Sequence, residues 1–325
     1  MSYSGLHSIL EDLCLSDRAF VLMYHRILPS AVNQPVYVQP GMFVKPETFE
    51  RHMAYIKNNF EVLFLDDLVA KAMAGETIGR HCALTFDDGW RDNYTAAIPI
   101  LKKYQLPVTI FLSTGYIGAT KTFWPEELCQ YLEQIDLDLL KDDAAPDSWR
   151  YFTSLITSYK SLGRECFFDQ SIATLKRFTA SEREDVLNYL RNMLNVRPLP
   201  RQMLNWDEAR NMCQSGLVRF GAHTVNHELL DQVSLPRAGT EIIDSRDEIE
   251  RQLGSKVKIF AYPNGNHNPE IRQILAQNGF NAAVTTRKGL IDHKLPLLEI
   301  PRIALHEDIS ATIPMFRSEI IRYAL

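Results

Sequence analysis

The chain has 325 residues, 46% hydrophobic and 23% charged, with a formal net charge of -5. That length suits one large domain or two ordinary ones, and the composition is that of a globular protein. The acidic balance gives no general attraction to nucleic acid, no basic stripe or stacking motif stands beside it, and the longest apolar runs, such as AFVLMY, are far too short to span a bilayer.

Residues 1–17 read as a helical extension broken by Glu11, Asp12 and Asp17. They lack the basic start and apolar stretch of a secretory signal. Five cysteines (Cys14, Cys82, Cys129, Cys166, Cys213) are scattered, with no CxxC pair. Together these features predict reduced thiols and a cytoplasmic protein, either free or peripheral to a membrane-bound complex.

From residue 18 onward short apolar runs alternate with amphipathic ones. AFVLMYH (19–25), EVLFL (61–65), CALTF (82–86), VTIFLS (108–113), LVRFGAH (217–223), VKIFAY (257–262), FNAAVTT (280–286) and EIPRIAL (299–305) have the length and content of buried strands. Between them, PETFERHMAYIKNN carries Phe49, Met53 and Ile56 on one stripe, AGTEIIDSRDEIERQLG closes on Gly254 as a helix cap, and NPEIRQILAQNGF opens on Asn-Pro. Repeated strand–helix alternation predicts a parallel α/β barrel over 18–325. Residues 119 to about 205 interrupt it with helical segments such as PEELCQYLEQIDLDLL and SEREDVLNYLRNML, which read as a helical insertion between two barrel strands.

Catalytic groups of parallel α/β barrels sit where strands end. Asp87 and Asp88 end one predicted strand in LTFDDGW, and His223 ends another in GAHTVNH, with His227 four residues on. Two imidazoles and one carboxylate make a ligand set for a catalytic divalent metal. A second acid beside the site would serve as general base. Taken singly, a DD pair at a strand end also reads as a helix cap, and an HxxxH pair as two surface histidines.

TFDDG and HTVNH, in that order on separate strands, resemble the first two motifs of the polysaccharide deacetylases, also called carbohydrate esterase family 4 or NodB-homology proteins. VLMYHRI and FAYPNG (260–265) resemble the branch acting on surface or biofilm polysaccharides. The resemblance covers roughly 18–118 and 204–308. It implies a distorted (β/α)7 barrel and a metal-dependent removal of N-acetyl groups from an acetamido sugar of a cell-surface polysaccharide or its precursor. It further implies one divalent ion, zinc in the first place with cobalt, nickel, iron or manganese as alternatives. Carried over residue by residue, Asp88, His223 and His227 hold the metal and Asp87 is the base. The backbone N–H of Asn264 faces the oxyanion, His306 protonates the leaving amine, and Leu305 lines the acetyl-methyl pocket.

Two departures stand out. The third motif of the family opens with an arginine that pairs with the base, and here that position is Ala261. Arg302, four residues before His306, is the candidate replacement from across the barrel. The acid that orients the last histidine has no match near TTRKGLIDH. Trp90 and Tyr262 lie close to the motifs and offer rings for sugar stacking or for the core. Trp206 reads as packing, Trp124 as a wall of an outer groove, His25 as a neighbour of the site or a satisfied core histidine, and His267 and His293 as loop residues. Ester and amide hydrolysis share one machinery, so an O-acetyl esterase or a non-sugar amidase is the alternative enzyme. The missing arginine leaves room for a catalytically silent polysaccharide-binding scaffold.

Overall fold

A computed structural model of the chain describes residues 14–29, 37–119, 121–135, 145–194, 196, 199–292, 294 and 296–323. The greater part of the expected 1–17 extension, and His293, lie outside them. The chain divides into two compact units, one of residues 1–29, 40–119 and 203–325, the other of residues 30–39 and 120–202.

The first unit is built on ten short strands: β1 (Phe20–Tyr24), β2 (Arg26–Ile27), β3 (Phe43–Val44), β4 (Glu61–Leu63), β5 (His81–Phe86), β6 (Val108–Leu112), β7 (Val218–Ala222), β8 (Ile259–Ala261), β9 (Ala282–Val284) and β10 (Ile303–Ala304). Eight form one sheet in the order β10-β1-β5-β6-β7-β8-β9, with β4 also on β5, and β2 pairs with β3 separately. Every ladder of the large sheet is parallel. Its eight strands are the eight apolar runs of the sequence.

The curl of the sheet brings its two edges together. A single parallel bridge, Val284 to Ile300, joins β9 to the segment feeding β10. Around that seam Thr285 N–H donates to Ile300 O at 2.8 Å and Arg302 N–H to Arg287 O at 2.8 Å. The result is a distorted barrel with one thin closure.

Alternate residues of the strands enter two different apolar clusters. Phe20, Leu22 and Tyr24 of β1, Cys82, Leu84 and Phe86 of β5, and Val108, Ile110 and Leu112 of β6 pack in one, with Phe49, Met53 and Ile56 of the helix Pro46–Asn59. Val21, Ala83, Phe111, Ile259, Ala261, Ala282 and Val284 form the other, closed by Leu65, Leu68 and Val69 of the helix Leu65–Met73. Burial on both faces is why these strands read as unbroken apolar runs rather than alternating ones.

Register sets the position of the site. Tyr24 lies across from Phe86, Leu112 from Ala222, and Met23 from Ala304. Strand ends are therefore level, and the residues that follow them (His25, Asp87, Ser113, His223, Leu305) share one rim. Backbone pairing continues there, with Asp87 N–H donating to Tyr24 O at 3.1 Å, His223 N–H to Leu112 O at 3.1 Å and Leu305 N–H to Met23 O at 3.0 Å.

The second unit is helical, with helices Trp124–Leu132, Asp147–Ile156, Arg164–Leu175 and Ala180–Met193. Trp124, Trp149, Phe152, Ile172, Val186 and Leu190 are buried in it. Thr179 and Glu182 form a reciprocal capping box at the start of the last helix. Trp124 is 1% exposed beneath the Arg183 guanidinium, so the expected groove wall is instead core. All five cysteines are free thiols. Among the described residues no helix is long and apolar enough to cross a membrane.

Candidate active site

Ala83 of β5 belongs to the second apolar cluster, and by alternation Thr85 and Asp87 continue its face. Ordinary alternation would send Asp88 the opposite way. Instead Asp88 adopts φ +74° and Gly89 φ +87°. A left-handed aspartate is tolerated only where its surroundings hold it. Gly89 is required by space as well as by angle, since a Cβ there would stand 2.8 Å from both Ile117 Cδ1 and Leu112 Cδ2. This backbone reversal lets two neighbouring carboxylates serve one rim.

Asp88 and the two histidines converge. Asp88 Oδ1 lies 3.4 Å from His223 Nε2 and 3.4 Å from His227 Nε2, and the three ligand atoms are all within 4.8 Å of one another. His227 reaches this position through a left-handed backbone, φ +55°, after Thr224 at φ +64°. His223 Nδ1 contacts Ala261 O at 2.7 Å. A carbonyl accepts only, so Nδ1 carries the proton and Nε2 turns its lone pair to the cluster. Asp88 Oδ2 accepts the Trp90 indole N–H at 3.0 Å, while buried Oδ1 has no hydrogen-bond partner. Burial would raise the Asp88 carboxyl, and the neighbouring imidazoles, when protonated, hold it well below the usual carboxylate range. A buried carboxylate oxygen without a hydrogen-bond partner, 3.4 Å from each of two imidazole nitrogens, fits a divalent cation in type and number of donors.

Asp87 is held differently. Arg302 Nη1 donates to Asp87 Oδ1 and Nη2 to Oδ2, each at 2.7 Å, and the guanidinium is fully buried. Its remaining donors reach Thr285 O at 3.0 Å from Nε and Thr85 Oγ1 at 3.2 Å from Nη1. Burial pushes the Asp87 carboxyl up, and the paired guanidinium overcomes it, leaving the carboxyl below its ordinary value. Arg302 thus stands where the sequence departure at Ala261 left a gap.

His25 follows β1 on the same rim. Burial pushes its imidazole down against the upward pull of Asp88 and Asp87. Asn264 takes φ +56° after β8, Leu305 is buried past β10, and His306 is half-buried with Nδ1 3.3 Å from Asp308 Oδ2. Among the described residues no hydrogen bond joins these three to the Asp88 cluster.

Two expectations are corrected. Trp90 and Tyr262 are both fully buried, so neither ring can stack on a sugar. The Arg26 guanidinium carbon lies 4.1 Å from the centroid of the Trp90 ring, whose N–H donates to Asp88. Tyr262 donates to Leu298 O at 3.0 Å and stacks on His267 at 4.7 Å. Sequence reasoning also passed over Glu241, which accepts the N–H groups of Val225 and Asn226, each at 2.8 Å. The Trp90 contact had a local signal, two residues from Asp88. Glu241 had none, since it lies on a separate helix.

A parallel barrel that gathers buried acids and imidazoles at its strand ends has the layout of an α/β-barrel enzyme. The chain belongs to the polysaccharide deacetylase family, whose model, described as polysaccharide deacetylase, matches residues 74–283. This is the family, and the fold, that the motifs imply. A Bacillus subtilis (strain 168) protein designated polysaccharide deacetylase YxkH is 21% identical over 294 residues, 90% of this chain and 73% of that protein. The poly-β-1,6-N-acetyl-D-glucosamine N-deacetylase of Staphylococcus aureus (strain MSSA476) is 28% identical over 143 residues, 42% of this chain. The matched region spans about half, 47%, of that relative's length. The solved structure of the Streptococcus pyogenes deacetylase PplD in complex with acetate has a TM-score of 0.60 and 22% identity, covering 95% of this chain and 98% of that one.

Proposed function

We propose that the chain is a metal-dependent N-deacetylase of an N-acetylated polysaccharide or its precursor. The observation that carries this reading is the Asp88 Oδ1 atom, buried without a hydrogen bond between two imidazole nitrogens. Asp88, His223 and His227 would hold the ion, zinc being the first candidate for such a donor set. When bound, it would supply Lewis-acid activation of water and of the acyl oxygen.

The chain's own residues do the rest. Asp87 stays ionised beside Arg302 and takes a proton from the attacking water. Water oxygen adds to the acetyl carbon, and the backbone N–H of Asn264 faces the oxygen that gains charge. His306 returns a proton to the nitrogen as the C–N bond breaks, leaving acetate and a free amine. Leu305 lines the pocket for the methyl group. Arg302 acts through Asp87, fixing both its oxygens.

The name of the S. aureus relative supports β-1,6-linked N-acetylglucosamine oligomers as the first substrate to assay. The protein would be purified, its bound divalent metal quantified, and acetate release measured before and after chelation. Chelator-sensitive acetate release with about one ion per chain is expected. Acetate release that persists in metal-free protein would overturn the reading.

A further inference from the structure

We infer that Glu241 is the positioning residue that makes the HTVNH loop a metal-binding loop, an inference that rests on the metal reading above. Glu241 lies on the helix Leu235–Leu253 and is 1% exposed. Its Oε2 accepts the backbone N–H groups of both Val225 and Asn226 at 2.8 Å, and its Oε1 accepts Asn226 Nδ2 at 2.8 Å. Arg237 clamps it from the preceding turn, 2.6 Å from Glu241 Oε1 and 2.7 Å from the buried Glu228 Oε1. Glu228 directly follows His227.

The loop needs such a clamp. His223 and His227 are separated by only three residues, and both Thr224 and His227 take left-handed backbone angles that side-chain-bearing residues avoid. Such angles persist only where the surroundings over-determine them. Two parallel N–H groups aimed at one carboxylate oxygen are a charge-assisted pair placed between the two strained positions. The carboxylate acts on the loop through the Val225 and Asn226 N–H groups. It selects the backbone in which both Nε2 atoms face Asp88, so its loss should weaken the ion rather than the fold.

The test is metal affinity, measured by competition with a chromophoric chelator on metal-free protein whose folding is checked by circular dichroism. Glu241→Leu keeps the volume and removes every acceptor. We expect it to weaken zinc binding by about ten- to a hundred-fold, the range for a lost partner behind a metal ligand. Glu241→Gln retains an amide oxygen for the two backbone N–H groups, and the Asn226 amide can turn to meet its NH2, so most of the affinity should return. If Glu241→Leu does not fold, Glu241→Asp serves, because it keeps the charge but withdraws the oxygens by one methylene. Wild-type affinity in a folded Leu or Asp variant overturns the inference while leaving the metal reading intact. Failure of wild-type protein to bind zinc, cobalt, nickel, iron or manganese overturns the metal reading itself, and this inference with it.

Discussion

Asp87 and Asp88 are adjacent in sequence and equally buried, yet their surroundings are opposites. Asp87 has both oxygens forked by one guanidinium. Asp88 has one oxygen on an indole N–H and the other on nothing but imidazole nitrogens. Buried charges are paired or bind metal; Asp87 is paired, and Asp88 belongs to the donor set proposed for a metal. The difference lies in a single φ angle, which turns Asp88 out of the strand's alternation. Local chain geometry, more than residue type, divides the roles.

Four substitutions would break or sharpen that contrast. The largest effect belongs to Asp88→Ala, which should abolish both bound metal and acetate release; metal retained at wild-type stoichiometry would contradict the ligand assignment. Asp87→Asn comes next, with metal content unchanged and kcat down by about 10²–10⁴, the usual worth of a general base. Should that variant turn over normally, Asp87 is a structural partner of Arg302 and no more.

Arg302→Lys keeps a charge and loses the fork, so a smaller fall in kcat is expected, with a shift in its pH profile. The Asp87 carboxyl is held low by the guanidinium, so its ionised form persists as pH falls. With the fork gone its pKa rises, and the acid limb of kcat/KM should move to higher pH. An unmoved limb would separate Arg302 from the base. The same pairing bears on stability. A depressed folded-state pKa contributes stability above the unfolded value that is lost as pH falls through the folded one, so the stability lost on acidification should be smaller in Arg302→Lys. The smallest effect is that of Trp90→Phe, which keeps the ring beneath Arg26 but removes the donor to Asp88. It should lower metal affinity by about ten-fold with little change in kcat at saturating metal, and titration against a chelator would read it.

Much of the barrel was legible because both faces of its strands are buried, which leaves continuous apolar runs ending in motif residues. Arg302 was legible by a different route. The arginine missing at Ala261 pointed to a cation elsewhere on the rim, and Arg302 stands on the last predicted strand, four residues before His306. The two aromatic assignments failed because proximity in sequence to a motif says nothing about which way a ring faces. Trp90 follows a left-handed pair of residues, and the turn buries it. Glu241 is invisible to sequence reading for another reason: its partners are backbone N–H groups some fifteen residues away, and backbone donors leave no mark on composition. Asn264 and His306 stand just past the ends of β8 and β10, as the motifs placed them.

The barrel's thin closure has one more consequence. Arg302 sits two residues beyond the Ile300 bridge and donates across it to Thr285 O while gripping Asp87. One side chain is thus shared between the mechanical integrity of the cylinder and the chemistry at its mouth. Breathing of the β9–β10 junction would loosen the carboxylate at the same moment. Hydrogen–deuterium exchange at Thr285 and Arg302 would then act as a remote gauge of how well the base is held, read without any substrate present.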